Sequence, residues 1–274
     1  MTSISTPIVP RLEHTGTVTQ AHVIRSEWTK LWSLRSTRYS LGAALFLAIG
    51  VAALACGVVT HHWPHMSPHD RQDFHPLEVN LAGVQIAQLA VGVLGVLVIT
   101  GEYSTGMIRA TMTAVPKRLP VLWAKMIVYG AVVLALVTPT ILIAFAVGEA
   151  ILSRQHINIA FSHPGVPRVL FGAALYLTVI GLFGLGIGAI LRNTAGGIAA
   201  FAGILFVLPP LMNVLPTSWN NAASPYLPLN AGQAIMALTR SQHQLAPWTG
   251  LGVLALYTAI SLAAAAFLLV RRDT

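Results

Sequence analysis

The side chains capable of chemistry are few, and most lie beside long apolar segments. Glu102 and Lys125 lie within a basic stretch, residues 100–125, that separates two such segments. A second group combines histidines with carboxylates, which are ligands for Zn²⁺, Cu²⁺ or Ni²⁺. Its members are His61, His62, His65, His69, His75, Asp70, Asp73 and Glu78. Pro64 and Pro68 oppose the regular helix that would align these ligands, so a solvated loop is favoured over a metal-responsive one.

Sequence motifs for nucleotide hydrolysis and for catalysis in the membrane plane are absent. The chain contains no GxxxxGK[ST] phosphate-binding loop, no HExxH and no GxSxG. We therefore predict that it is not an enzyme and has no catalytic residue, no metal and no cofactor of its own. A transporter built from this chain has to use an ion gradient or ATP hydrolysed by a partner.

Polar residues inside the apolar segments are candidates for lining a substrate path. They are Gln85, Gln88 and Asn213. Gln85 and Gln88 share one helix face, and hydrogen bonding between helices is the favoured alternative for them. Gradient-driven carriers usually need ionisable residues inside their spans. Such residues are scarce in these segments, which favours a machine driven by a partner.

Composition limits the kind of fold that can position these residues. Of 274 residues, 55% are hydrophobic and 9% are charged, whereas a soluble domain carries roughly 25% charged residues. An ordinary soluble fold is therefore excluded. The net charge of +8 does not indicate nucleic-acid binding, because the basic residues punctuate apolar runs instead of forming a patch with exposed aromatics.

Six segments reach the length of about 20 apolar residues that crosses a bilayer as a helix. They are residues 39–60, 79–100, 121–148, 169–191, 194–215 and 249–270. We predict an all-α, polytopic membrane protein with six transmembrane helices. Arg192 and Asn193 alone join the fourth and fifth segments in a tight hairpin, and a short helix is predicted over 229–239. The spacing of Gly184 and Gly188 indicates close helix packing.

Orientation follows from the distribution of lysine and arginine. If both termini share one side, that side holds twelve of the 16 basic residues, including every lysine. The remaining four are Arg71, Arg154, Arg168 and Arg240. Cytoplasmic loops carry the excess of Lys and Arg, so both termini are predicted to be cytoplasmic, and the protein is predicted to be a multi-pass protein of the plasma membrane.

The N-terminal part is predicted to stay outside the bilayer core. Residues 1–20 lack periodicity, which is typical of a disordered cytosolic tail. Residues 21–38 place Ile24, Trp28, Leu31 and Trp32 at helical spacing, with charged residues largely on other faces. This pattern predicts an amphipathic helix at the membrane interface, followed by the six-helix domain, residues 39–274.

Two stretches carry a resemblance to a known family. One is VIRSEWTKLWSLRSTRYSL, with the acidic-aromatic-x-Lys core of Glu27 to Lys30; the other is GEYSTGMIRATMTAVPKRLPVLWAK. In the second, the matching positions are Glu102, Gly106, Pro116, Arg118 and Lys125. With the six-segment plan, they make the chain similar to permease subunits of ABC-2-type ABC transporters, particularly those of actinobacterial type. Met107 stands where many relatives have Thr.

The resemblance implies a complex of two permeases, as a homodimer or a heterodimer, with two copies of a cytosolic ATP-binding subunit that holds ATP and Mg²⁺. It also implies a coupling helix over about residues 102–114, docked on the ATPase and assisted by the N-terminal helix. The implied coupling residues are Glu27, Lys30, Glu102, Tyr103, Gly106, Arg109 and Pro116. Contact of the basic residues with anionic lipid is the alternative.

The sequence therefore predicts the permease subunit of an ATP-driven exporter. Its path is predicted to carry a hydrophobic or amphipathic compound such as a drug, antibiotic, lipid or peptide. Two other functions stay open: an ATP-independent carrier or channel, and a membrane scaffold or sensor that uses the histidine-rich outer loop.

Overall fold

The computed structural model describes residues 19–33, 35–72, 74–108, 118–214 and 216–271. Every regular element in these ranges is a helix, and six of the helices are long and apolar enough to cross a membrane. The predicted all-α class is confirmed for the described residues, and so is the prediction of six helices with the length and hydropathy to span a membrane. The long helices are α1 (Gln20–Ser33), α2 (Arg35–His62), α3 (Ala82–Ser104), α4 (Arg118–Leu152), α5 (Val166–Leu191), α6 (Thr194–Ala202) and α7 (Pro247–Arg271).

Short helical pieces fill the connections. They are Trp63–His65, Pro68–Gln72, Pro76–Asn80, Ser153–Gln155, Thr217–Ala223, Ser224–Tyr226, Pro228–Gln233 and Ala234–Met236. The helix predicted over 229–239 is therefore shorter, because α-helix ends at Gln233 and one 3₁₀ turn follows to Met236. Its residues Ala231, Ala234 and Ile235 are fully buried against the bundle.

Helix α5 forms the centre of the bundle and packs against α3, α4 and α7. Its contact with α3 depends on glycine. A Cβ on Gly95 would lie 2.1 Å from the carbonyl oxygen of Gly181, and one on Gly184 would lie 2.2 Å from that of Gly92. The two backbones are thus too close for any side chain between them, which confirms the packing role predicted for the glycines of α5.

The hairpin between α5 and α6 is also confirmed. Arg192 ends α5 in the left-handed conformation with φ 53°, and its N–H donates to the Gly188 carbonyl. The Asn193 side chain then accepts the Gly196 N–H at 2.8 Å and caps α6. Helix α6 continues through a π-helical stretch, Gly203–Val207, and a last α-helical turn, Leu208–Met212.

The widened π stretch has a physical cause. Pro209 and Pro210 have no N–H to donate to the carbonyls four residues earlier, so regular α-helical bonding is lost just before them. The α-helical hydrogen bonding of this segment is therefore replaced by π-helical bonding just before the two prolines, and the helix continues through them. The helix ends at Met212, before the predicted boundary at residue 215.

Candidate functional site: a buried charge cluster

Four charged side chains meet where α1 contacts the ends of α3 and α4. Lys125 Nζ donates to Glu27 Oε2 at 2.6 Å and to Glu102 Oε1 at 2.8 Å. Lys30 Nζ donates to Glu27 Oε1 at 2.7 Å and to Glu102 Oε1 at 3.0 Å. Each lysine therefore lies between the two carboxylates, and the ring of charges is closed and neutral. We call these four residues the charge cluster.

The helices bring these residues together in a simple way. Glu27 and Lys30 are three apart on α1, so they project from neighbouring positions of one face. Glu102 lies in the last turn of α3 and Lys125 near the start of α4. Because consecutive spans run in opposite directions, the end of α3 and the start of α4 lie at the same membrane level. Three of the four ion pairs thus join these three elements, and the fourth, Lys30 to Glu27, lies within α1.

Three of the four side chains in the charge cluster are buried, so their charges need the ion pairs within the cluster to be stable. The exposed fraction of the side chain is 5% for Glu27, 8% for Glu102 and 4% for Lys125, whereas Lys30 is 28% exposed. Desolvation by itself would lower the pKa of Lys30, but the carboxylates of Glu27 and Glu102 outweigh it and raise this pKa above its ordinary value. Lys30 is therefore held in its charged form by the two carboxylates.

One carboxylate oxygen of the charge cluster accepts no hydrogen bond from the described residues. Among the residues that the structure describes, Glu102 Oε2 is buried and has no hydrogen-bond partner. A buried carboxylate oxygen without a donor is unfavourable, since such groups are nearly always paired with protein, water or ligand.

A cavity of about 320 Å³ adjoins the charge cluster. Helices α1, α3 and α4 line it, and its walls are mostly apolar, with Leu31, Leu94, Leu97, Val98 and Val128. The four charged residues, with Ser33, Ser104 and Thr105, form its polar part. The cavity is therefore amphipathic, with an apolar body and a charged end.

Helix α3 ends beside this cavity at a glycine. Gly106 has φ 72°, a left-handed conformation that glycine adopts without strain, and its N–H donates to the Tyr103 carbonyl at 3.2 Å. Tyr103 lies under the guanidinium of Arg192, 5.3 Å from ring centroid to Cζ. The hairpin between α5 and α6 thus contacts the end of α3 directly.

The segment predicted as a coupling helix does not begin as a new helix at residue 102. A single helix from residue 102 to 114 does not form, because α3 includes Glu102 and Tyr103 and the chain turns at Gly106. A new helical turn begins at Met107 and Ile108. Arg109 and Pro116, which were also predicted to contact an ATPase, lie outside the described residues.

Of the three residues predicted to line a substrate path, only Gln85 and Gln88 contact each other. Gln88 is fully buried, donates to Gln85 Oε1 at 2.8 Å and accepts the Tyr176 hydroxyl. Gln233, the last residue of the short helix Pro228–Gln233, donates to Gln85 Oε1 at 3.2 Å. We call Gln85, Gln88, Tyr176 and Gln233 the glutamine cluster. The favoured prediction of hydrogen bonding between helices is confirmed for Gln88.

Asn213, the third path candidate, is not in this group. It is exposed at the end of the helical segment Leu208–Met212 and accepts a hydrogen bond from Asn220 Nδ2 at 3.2 Å. Its surroundings belong to the connection between α6 and α7.

In the histidine-rich connection, an arginine side chain bonds to backbone carbonyls. Arg71 donates to the carbonyls of Trp63 and Pro64 at 2.9 and 3.1 Å, and Trp63 contacts Phe74 with ring centroids 5.1 Å apart. In the described part of the chain, which omits Asp73, no three histidine, cysteine or carboxylate side chains come together as metal ligands.

Three residues of these sites were not predicted to act there. Lys125 was noted in the basic stretch and in the family pattern but was not among the implied coupling residues, whereas Tyr176 and Gln233 carried no signal in the sequence. Lys125 was within reach of sequence reasoning, because an acidic residue ending one span and a basic residue opening the next lie at the same depth.

Neither a scan against protein-family models nor a search of curated proteins gives a match to this chain. The functional interpretation therefore depends on the sequence and on the geometry described above.

Proposed function

We propose that the protein is the permease subunit of an ATP-driven exporter and is coupled to a separate cytosolic ATPase. Two permease copies, identical or not, assemble with two ATPase copies in the plasma membrane. The path between the permeases carries a hydrophobic or amphipathic compound such as a drug, antibiotic, lipid or peptide. The permease itself holds no cofactor, and ATP and Mg²⁺ are bound by the partner.

The charge cluster is the observation that carries this proposal. It joins α1, α3 and α4 at the base of the connection that leaves α3 at Gly106. A push on that connection would be transmitted to two spans and to the N-terminal helix together, because ion-paired helices move as one rigid body. Glu27 and Glu102 are buried, so they transmit motion within this chain while exposed neighbours contact the ATPase.

The placement of α1 at the cytoplasmic interface is part of the same proposal. Val23 and Glu27 face the protein, whereas Trp28 and Trp32 are exposed and pack on each other with ring centroids 5.8 Å apart. Exposed tryptophans beside cations are typical of the lipid headgroup level. The excess of lysine and arginine on the side of the termini supports a cytoplasmic location for both ends.

The energy source is inferred from what the sequence and the spans contain. No phosphate-binding loop occurs in the sequence. In the described spans, acidic and basic residues lie near helix ends, as Glu102, Lys125 and Glu149 do. A proton or sodium relay through the bilayer centre is thus unsupported, and ATP hydrolysed by a partner takes its place.

Replacement of Gly106 tests the proposal. Proline fixes φ near −65° and removes the N–H that bonds to Tyr103, so Gly106→Pro should disrupt the end of α3 and the connection that follows. The matched control is Gly106→Asn, because asparagine tolerates the left-handed conformation. The tagged chain is purified from its own cell membranes, and copurifying ATP hydrolysis is measured.

The expected result is a copurifying protein with a phosphate-binding loop and ATPase activity, lost with Gly106→Pro and retained with Gly106→Asn. Equal ATPase recovery with both variants would contradict the assignment of this connection. Uptake of a lipophilic dye by liposomes that contain the chain alone would instead support an ATP-independent carrier.

A further inference from the structure

We infer that the connection between α6 and α7 holds a binding site for an uncharged sugar. The site is a cavity of about 360 Å³, lined by the short helices of this connection and by the loop that precedes α7. The inference does not depend on the proposed coupling to an ATPase. It draws on the side chains that line the cavity, on their lack of charge and on the hydrogen-bonding groups that they leave unused.

Amide side chains are concentrated around this cavity. The whole chain has seven asparagines and eight glutamines. Six of these side chains line the cavity, and they are Asn220, Asn221, Asn230, Gln233, Gln242 and Gln244. Each amide holds two N–H donors beside an acceptor oxygen, so one side chain can bond to two neighbouring hydroxyl groups of a ligand. We call this site the amide cavity.

The wall of the amide cavity carries no acidic residue, lysine or arginine among the described residues. Its other polar residues are Ser224, Ser241 and His243, and its apolar residues are Pro225 and Leu245. An ionic ligand would lose its hydration there without gaining a counter-charge, which disfavours phosphate esters and amino acids. A strongly hydrophobic ligand would find little apolar surface. The wall therefore suits a neutral ligand with many hydroxyl groups.

Hydrogen bonds within the connection hold the wall of the amide cavity in place. Asn230 Nδ2 donates to the Ser224 carbonyl at 2.9 Å and to Ser224 Oγ at 2.8 Å, which joins two of the short helical pieces. On the other side, Arg240 Nε donates to the Gln244 carbonyl at 2.8 Å, and the Gln244 N–H donates to the Ser241 carbonyl at 3.1 Å. A preformed wall lowers the cost of ordering side chains on binding.

Several amide groups of this wall are available to a ligand. Asn221 and Gln242 are exposed, and their side chains make no hydrogen bond with the described part of the chain. Gln244 Nε2 and Asn230 Oδ1 also have no partner among these residues, and neither atom is sealed from solvent. Gln233, by contrast, is taken up by the glutamine cluster. Four amides can therefore bond to hydroxyl groups without breaking a contact of the fold.

A sugar suits the amide cavity better than a peptide does. Peptide sites commonly offer a sheet edge or apolar pockets for alternate side chains, and the described lining of this cavity has neither. A sugar ring carries hydroxyl groups on adjacent carbons, which match the adjacent donors and acceptor of an amide. Pockets for small molecules measure about 300–1,000 Å³, so this cavity is at the small end of that range and suits a short sugar.

Saturation-transfer difference NMR of the full chain in nanodiscs tests the inference, because this method detects weak binding of unmodified small molecules. The chain is extracted with a detergent that has no sugar headgroup. The neutral probes are methyl α-glucopyranoside, methyl β-galactopyranoside and methyl α-mannopyranoside. Glucose 6-phosphate is the charged comparison, and N-acetyl-triglycine amide is the neutral peptide.

The test variant is the double substitution Asn221→Ala and Gln242→Ala, which removes two exposed amides that the fold does not use. Ser241→Trp provides a second variant, because its large ring occupies space at the wall of the cavity. The matched control is Gln72→Ala, which removes an exposed amide from the connection between α2 and α3.

We expect at least one neutral glycoside to bind the native chain. Its affinity should fall about tenfold or more in the double variant and in Ser241→Trp, and should stay unchanged in Gln72→Ala. Equal affinity of the double variant and the native chain would overturn the site. Tighter binding of the peptide or of glucose 6-phosphate than of every neutral glycoside would overturn the sugar assignment. A folded native chain that binds no probe would overturn both.

Nanodiscs that contain monoglucosyl diacylglycerol distinguish the two sources of such a sugar. Suppression of the glycoside signal by this lipid would support the site with a glycolipid headgroup as its ligand. An unchanged signal would support the site with a free sugar as its ligand.

Discussion

The charge cluster and the glutamine cluster hold opposite ends of the same helix, α3, by different physical means. The charge cluster uses four full charges and joins α3 to α1 and α4. The glutamine cluster uses neutral groups and joins α3 to α5 and to the short helix Pro228–Gln233. Removal of one buried charge leaves its partner buried without a counter-charge, which lowers stability strongly. A neutral hydrogen bond between membrane helices contributes little to the free energy of unfolding. One end of α3 is therefore firmly fixed, and the other can rearrange at small cost.

The charge cluster should show this difference most strongly when Lys125 is replaced by Met. Methionine matches the length of lysine but leaves Glu27 and Glu102 with Lys30 alone. We expect a loss of about 3–5 kcal/mol in the free energy of unfolding, because the substitution uncovers a buried negative charge. Unfolding of the purified protein by denaturant in detergent micelles measures it.

Two controls separate charge from packing in this experiment. Lys30→Met should have a smaller effect, because Lys30 is more exposed and water screens the remaining charge. Adding Glu27→Gln to Lys125→Met restores a neutral cluster, so the double variant should be more stable than Lys125→Met alone. If the second substitution lowers stability further, lost packing rather than uncompensated charge governs the site.

The glutamine cluster should respond much less when Tyr176 is replaced by Phe. The phenylalanine keeps the fully buried ring and removes the hydrogen bond to Gln88. We expect a loss of about 1 kcal/mol, since hydrogen bonds between membrane helices average roughly 0.6 and reach about 1.7 kcal/mol. The same unfolding assay measures it, with Tyr257→Phe on the exposed side of α7 as the matched control. A loss as large as that of Lys125→Met would remove the contrast between the two clusters.

The sequence was sufficient for the spans but not for the way they are joined. Hydropathy located the six membrane helices, because each apolar run needs only its own residues to reveal it. The resemblance implied Glu27, Lys30 and Glu102 as coupling residues, yet Lys125, which pairs with both glutamates, is 98 residues from Glu27. Gln88 and Tyr176 are 88 residues apart. Such pairs depend on how the helices pack, which local periodicity does not encode.

The start of the coupling segment shows the same limit on a smaller scale. The resemblance grouped Glu102, Tyr103 and Gly106 in one coupling helix, but the sequence did not show that α3 extends through the first two. The left-handed conformation of Gly106 marks the boundary. Many glycines in membrane helices instead serve close packing, as Gly95 does against α5. Residue type alone does not distinguish these two uses.

The smallest effect is expected at Gln85, whose side chain is exposed at the edge of the glutamine cluster. Gln85→Leu removes the acceptor for Gln88 and Gln233, but Gln88 keeps its bond from Tyr176. We expect a change in the free energy of unfolding of at most about 0.5 kcal/mol, as for most exposed substitutions. Gln88→Leu serves as the buried comparison in the same assay, because it leaves the Tyr176 hydroxyl without its acceptor. If Gln85→Leu destabilised the protein as much as Gln88→Leu, Gln85 would be the main attachment of the helix Pro228–Gln233 to α3, and this end of α3 would be as firmly fixed as the end at Glu102.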